Sequence, residues 1–308
     1  MGAAEPRIVL WLLACPLALA ADAPGGFNLS EPEPGIFVHV GRHLAPGAPG
    51  HGDIANIGFI VGENCVAVID TGGSASIGRE LRAAVKRHAS APICYVINTH
   101  GHVDHVLGNS IFRIDRPSFV GNAALRDAIE RSRDFFLKEY AADMDSPPNG
   151  EDIIGPDLEV EHELTLELGG RQLALRAWPT AHTDSDLTVY DARTRTLWTG
   201  DLLFRERLPA LDGSLTGWLS ALEELDRMKV ALAVPGHGRI ARDLAAAIAP
   251  ERRYLQGLAE GIRDELARGK PLNEATEHAA SAEKSNWVLW DAVHPHNVVR
   301  AYQELEWN

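Results

Sequence analysis

Cysteine is scarce in this sequence, three residues in 308, and none belongs to the closely spaced pair that marks a cysteine-type metal site. Basic residues are outnumbered, 29 Lys and Arg against 43 Asp and Glu, for a formal charge of -14 with no basic stripe. That shortage removes the phosphate-neutralising surface that nucleic-acid binding needs, and excludes nucleic acid as a partner. Long hydrophobic runs are missing too: the apolar stretch at residues 8–20 is too short to span a bilayer comfortably, so no stable membrane span is expected. No internal repeat or low-complexity tract is present. What remains is a chain of ordinary hydrophobic content, 45%, long enough for one large domain or two small ones.

Arg7 followed by the apolar residues 8–20, ending in Ala18-Leu19-Ala20 before Ala21-Asp22, has the pattern of a secretory signal cleaved after residue 20. A lipidation site at Leu12-Leu13-Ala14-Cys15 is the weaker variant, because Pro16 and the continuing apolar run follow it. In a bacterial host, export leads to the periplasm. Cleavage leaves Cys65 and Cys94, which an oxidising compartment can join, although two small core residues near strand starts is the simpler reading.

Residues 57–61 and 65–69 are short apolar runs around Gly62-Glu63-Asn64, the pattern of a strand hairpin. Ile77, Leu81, Ala84 and Val85 follow helical spacing, and residues 93–97 form another buried strand, completing a βαβ unit. A helix is expected near Val103 and over about residues 122–142, before Pro147-Pro148-Asn149-Gly150 breaks the chain. Strands follow at residues 162–168, 171–178, 186–190 and 196–199, then a helix at 214–228 and a strand at 230–234. Residues beyond 239 read as helical, with Pro250 and Pro271 as helix starts.

At the carboxyl end of the second βαβ strand, where α/β sheets commonly carry ligands, His100-Gly101-His102-Val103-Asp104-His105 puts four metal-competent groups inside six residues. Three imidazoles and a carboxylate crowd together at little cost only around a cation. His182, Asp201 and His237 occupy strand ends or turns beside small residues, which leave space for a metal.

This order strongly resembles the metallo-β-lactamase superfamily: a His-x-His-x-Asp-His run, a distant His, a bridging Asp and a last His. The resemblance implies an α/β fold, the αββα four-layer sandwich with a C-terminal helical extension. Its divisions are a signal peptide at 1–20, a flexible lead-in at 21–35, the metallo-β-lactamase domain at 36–240 and the extension at 241–308. It also implies two zinc ions, with iron or manganese compatible with the same donors. His100, His102 and His182 would bind the first and Asp104, His105 and His237 the second. Asp201 would bridge them with a hydroxide, and Asp70 would stand behind the ligands. Asp104 and Asp201 are then the catalytic carboxylates. Such a centre supplies a nucleophile at neutral pH without serine or cysteine.

Asp201 rather than Cys, and Asp104 rather than Asn, resemble the glyoxalase II branch more than the subclass B1 lactamases. Longer stretches, among them residues 59–73, 95–100, 105–109, 208–214, 294–298 and 301–306, resemble the quinoprotein relay system zinc metallohydrolases, also called SoxH-like proteins. That likeness implies an exported hydrolase of an ester, thioester or lactam in a small-molecule substrate, associated with PQQ-dependent alcohol oxidation and a quinoprotein dehydrogenase system. The alternatives are a non-catalytic periplasmic binding or relay protein, a β-lactamase and an iron-dependent oxidoreductase. Residues 208–214 are expected to be a strand-to-helix connection more than a mouth of the site, and His294 and His296 to lie at a surface or helix start.

Overall fold

The computed structural model describes residues 27–45, 47–144 and 150–307. The expected signal peptide, residues 21–26 of the lead-in and the break at 147–149 lie outside them. The elements in order are β1 (Leu29–Glu33), β2 (Ile36–His39), β3 (Ile57–Val61), β4 (Val66–Ile69), α1 (Ala75–His88) and β5 (Ile93–Ile97). Next come α2 (Val103–Val106), α3 (Asn109–Phe112), β6 (Ser118–Asn122), α4 (Leu125–Glu139), β7 (Leu158–Val160), β8 (Glu163–Glu167) and β9 (Gln172–Ala177). The chain ends with β10 (Leu187–Asp191), β11 (Thr196–Phe204), α5 (Leu215–Asp226), β12 (Leu232–His237), α6 (Leu244–Ala267), α7 (Leu272–His278) and α8 (Trp290–Glu306).

The strands form a seven-stranded sheet in the order β1 to β7, and a five-stranded sheet in the order β12-β11-β10-β9-β8. Period-two alternation sends β4 in two directions: Ala67 and Ile69 meet the second sheet, while Val66 and Val68 meet α1 through Leu81 and Val85. On the other sheet Trp198 and Val234 face inward, while Leu197 and Ala233 join the core beneath α5, α6 and α8. Helices therefore cover both outer faces, and the expected four-layer sandwich is the observed one. The inner seam has one buried ion pair: the Arg171 guanidinium, beside β9, forks onto Asp191 at 3.0 and 2.8 Å and donates to the Val61 carbonyl of the facing sheet at 2.8 Å.

Several local expectations need correction. Residues 29–33 of the supposed flexible lead-in are β1, paired antiparallel with β2. Pro250 does not start a helix but sits inside α6, and His294 and His296 lie within α8 beyond its first turn. The start of α6 is set seven residues earlier, where the Asp243 carboxylate accepts from the Ala246 amide. Pro271 is a boundary, the N-cap of α7. Cys65 and Cys94 are not merely two small core residues: they are joined across the start of β4 and β5, with Cα atoms 5.7 Å apart. Among the described residues no helix is long and apolar enough to cross a membrane.

Candidate metal centre

The site lies where β4, β5, β11 and β12 end together. The chain leaving β5 passes through His100 and enters the single turn α2, which carries Asp104 and His105 on one side. The β9–β10 loop brings His182, β11 carries Asp201, and β12 closes on His237. Two irregularities aim these side chains. The β11–β12 register slips between Trp198 and Gly200, a bulge that turns Asp201 toward the cluster. Gly236 leaves the room Asp201 needs, since a Cβ there would lie 1.8 Å from Asp201 Oδ1.

Two groups of side chains offer donor atoms within 4.8 Å of one another: His100, His102, His182 and Asp201, and Asp104, His105 and His237. All seven residues singled out in the sequence are thus brought together. Asp201 touches both groups, its Oδ2 lying 3.4 Å from His182 Nε2 and 3.2 Å from His237 Nε2, and its Oδ1 3.3 Å from His105 Nε2.

The outer hydrogen bonds of the five histidines fix which nitrogen is free. His182 and His237 donate Nδ1–H to the carbonyls of Ala210 (2.7 Å) and Ile54 (2.8 Å), and His105 donates to Asp70 (2.8 Å). Thr99 Oγ1 gives its proton to Asp70, so it can only accept from His100 Nδ1, 3.1 Å away. His102 is reversed: Nε2 faces Asp212 Oδ2 at 2.9 Å, and Nδ1 lies 3.0 Å from His182 Nε2. Every ring therefore turns a lone pair inward, the protonation state metal ligands require.

Several of those inward atoms lack a hydrogen-bond partner among the described residues. Buried His100 Nε2, His105 Nε2 and Asp201 Oδ1 have no hydrogen-bond partner, an arrangement that costs several kcal/mol unless cations fill it. The residues present fit two divalent ions. Without ions, burial and the neighbouring His105 hold His100 well below the usual histidine range, and burial takes His182 down to about 4. Burial also opposes charge on His105, but Asp201, Asp104 and Asp70 overcome it and hold the ring well above its ordinary value.

Asp70 lies behind His105 and Thr99. It ends β4 with φ 51°, and its carboxylate accepts from the Thr99 amide, the Thr99 hydroxyl and His105. Asp212 was missed. It belongs to the 208–214 stretch read mainly as a connection, and that stretch instead walls the site: Ala210 orients His182 and Asp212 orients His102. The C-terminal helix fixes it, because His296 Nε2 reaches Asp212 Oδ1 at 2.8 Å and Asn297 bonds the Leu211 amide and the Pro209 carbonyl. His294 takes no part in the site; it stacks on Trp290 and contacts the Tyr254 hydroxyl. A signal for Asp212 existed in the sequence, an acidic residue before Gly213 in a turn-forming stretch, but nothing local tied it to His102.

A two-sheet α/β sandwich with paired His and Asp groups at one edge defines a metalloprotein of the metallohydrolase class. The chain belongs to the metallo-beta-lactamase superfamily, whose family model matches residues 50–237. Similar solved structures include TMB-1, with 17% identity over 75% of this chain and 97% of that one at a TM-score of 0.58. A metallo-beta-lactamase from Pontibacter korlensis shares 19% identity over 74% and 98%, also at 0.58. The stereoselective inverting sec-alkylsulfatase Pisa1 from Pseudomonas sp. shares 16% identity over 89% of this chain and 49% of that one, at 0.64. At these identities the likeness is one of fold.

Proposed function

We propose that the chain is an exported hydrolase with a dinuclear metal centre, acting on an ester, thioester or lactam carbonyl of a small molecule. His100, His102 and His182 hold one ion, Asp104, His105 and His237 the other, and Asp201 stands between them. The observation that carries this reading is the set of five histidines whose outer nitrogens are all committed, leaving inward lone pairs around an unpartnered carboxylate oxygen. Two zinc ions would supply Lewis acidity and water acidified to a pKa of about 7, and iron or manganese suits the same donors.

The protein's own groups supply orientation and proton handling. Asp104 is the more open of the two inner carboxylates, its side chain 12% exposed against 3% for Asp201. It is therefore the group placed to pass a proton to a departing alcohol, thiol or amine, while Asp201 stays fixed. Asp70, Asp212, Thr99 and two main-chain carbonyls keep the rings in register. Export is supported by the Cys65–Cys94 pair, since disulfides persist in oxidising compartments. The likeness to quinoprotein relay hydrolases supports a place beside PQQ-dependent alcohol oxidation.

Purified protein is expected to contain close to two metal ions and to hydrolyse generic ester or lactam reporters. Chelation and His102→Ala should both abolish that activity, with the chelated protein recovering on zinc addition. Full activity in a metal-free preparation overturns the reading.

A further inference from the structure

Beside the metal centre, a cavity of about 230 Å³ is lined by His102, Asp104, Asp212, Tyr140, His51 and Arg207. Four of these have partners or an assigned place: His102 meets Asp212, His51 meets Asp143 at 3.0 Å, and Asp104 faces His237 at 3.3 Å. Arg207 stands apart. The residue is 8% exposed, its Nη1 is buried without a hydrogen-bond partner, and its guanidinium makes no ion pair among the described residues. Its neighbour Glu206 is already taken by His43 and Arg239.

A buried guanidinium is retained at a cost unless an anion balances it. Asp104 lines the same cavity, and Arg207 helps to lower its carboxyl. That balance does not survive loading of the centre. Divalent cations in the centre take up the negative charge of Asp104 together with that of Asp201. Arg207 is then left without an ion-pair partner among the described residues, in the wall of a cavity that opens onto His102 and Asp104. Tyr140, Ile54, Val103 and Ala210 supply the apolar part of the same wall.

We infer that Arg207 is a substrate-recognition residue, and that the substrate is a small acyl compound bearing a carboxylate a few bonds from the scissile carbonyl. Guanidinium suits this task because its planar fork pairs with both carboxylate oxygens and it never loses its charge. The inference rests on the hydrolase reading for its chemistry, but not for its anion site.

The test compares the zinc-loaded wild type with Arg207→Met and Arg207→Lys, metal content being checked in each. By calorimetry, glutarate is expected to bind wild type at least about tenfold more tightly than Arg207→Met, with Arg207→Lys between. Acetohydroxamic acid, a metal-binding probe that is uncharged in solution and carries no carboxylate, confirms that each variant keeps an intact centre. In turnover, wild type should favour the mono-4-nitrophenyl ester of glutaric acid over 4-nitrophenyl valerate by tenfold or more in kcat/KM, and Arg207→Met should bring that ratio toward one. Equal glutarate affinity in wild type and Arg207→Met means the carboxylate merely ligates metal, and overturns the inference while the hydrolase reading stands. Absence of turnover of every ester by a two-metal protein overturns the hydrolase reading, and the glutarate comparison still decides the role of Arg207.

Discussion

His102 and Asp212 face each other at 2.9 Å, Nε2 to Oδ2, and this contact ties the metal centre to the C-terminal helix. The other carboxylate oxygen of Asp212 meets His296 of α8, and Arg300 donates to the Asp212 carbonyl. The ring of His102 is thus oriented by a residue that is itself held by the helical extension. Such outer partners are worth about 10- to 100-fold in metal affinity. Asp212→Asn should therefore lower affinity for one of the two ions by that factor while circular dichroism stays native, and chelator competition measures it. His296→Gln should give a smaller loss of the same kind.

Gly236 tests how closely the scaffold aims Asp201. Alanine there would put Cβ 1.8 Å from Asp201 Oδ1, and backbone atoms of Gly200 at 2.8 Å block retreat on that side. Asp201 has to move, and displacement of about 1 Å at a reacting centre costs about 100-fold in rate. Gly236→Ala should show that fall in kcat/KM together with a metal content below that of wild type. Unchanged metal content and activity would show that the β11 bulge has slack to spare.

Much of this was legible in the sequence, for reasons that differ by element. The candidate ligands could be singled out because four crowd into residues 100–105, and the remaining three are flanked by turn residues. The inner strands were readable because each is a short apolar run. β6 and β7 were not, since Ser118, Gly121 and Asn122 dilute the pattern of one and the other is three residues long. Asp212 was hidden for a different reason. Its role depends on a partner more than a hundred residues upstream and on a helix more than eighty residues downstream, and spacing along a chain carries no record of such a meeting. The Cys65–Cys94 join is similar, because only the parallel pairing of β4 with β5 brings its halves together.

Arg171 and Asp191 should dominate the stability of the inter-sheet seam. Both side chains are essentially inaccessible, and Arg171 also donates to Val61 and to Pro34 on the facing sheet's side. Arg171→Met would leave the Asp191 carboxylate buried with only Thr194 as a side-chain donor. Loss of one partner of a buried pair costs about 3–5 kcal/mol. Denaturant unfolding should show a midpoint shift of that size without a change in slope, and metal content should be unaffected, because the seam lies at the opposite end of β3 from the Ile57 end near the centre.

Glu304 gives the fold a pH dependence of definite sign. From α8 its carboxylate reaches the exposed amides that begin α5, accepting from the Leu215 amide at 2.6 Å, the Thr216 amide at 3.2 Å, and the hydroxyls of Ser214 and Thr216. An anion at a helix N-terminus is favoured by both the free N–H groups and the helix dipole. Burial works to raise this carboxyl, but the donors from Thr216, Leu215 and Ser214 outweigh it and hold it below the ordinary glutamate value. A carboxyl lowered in the folded state stabilises the fold at pH values above its unfolded pKa of about 4.3, and that contribution disappears as pH falls through the lower folded value. Glu304→Gln should then cost about 1 kcal/mol at pH 7, the difference between charge-assisted and neutral hydrogen bonds. The two proteins should converge in urea unfolding midpoint near pH 3. Since the same contacts seat α8 against the 208–216 stretch, the variant should also bind the first metal more weakly at pH 7, by less than Asp212→Asn does, and a metal affinity equal to wild type would separate the helix cap from the positioning of Asp212.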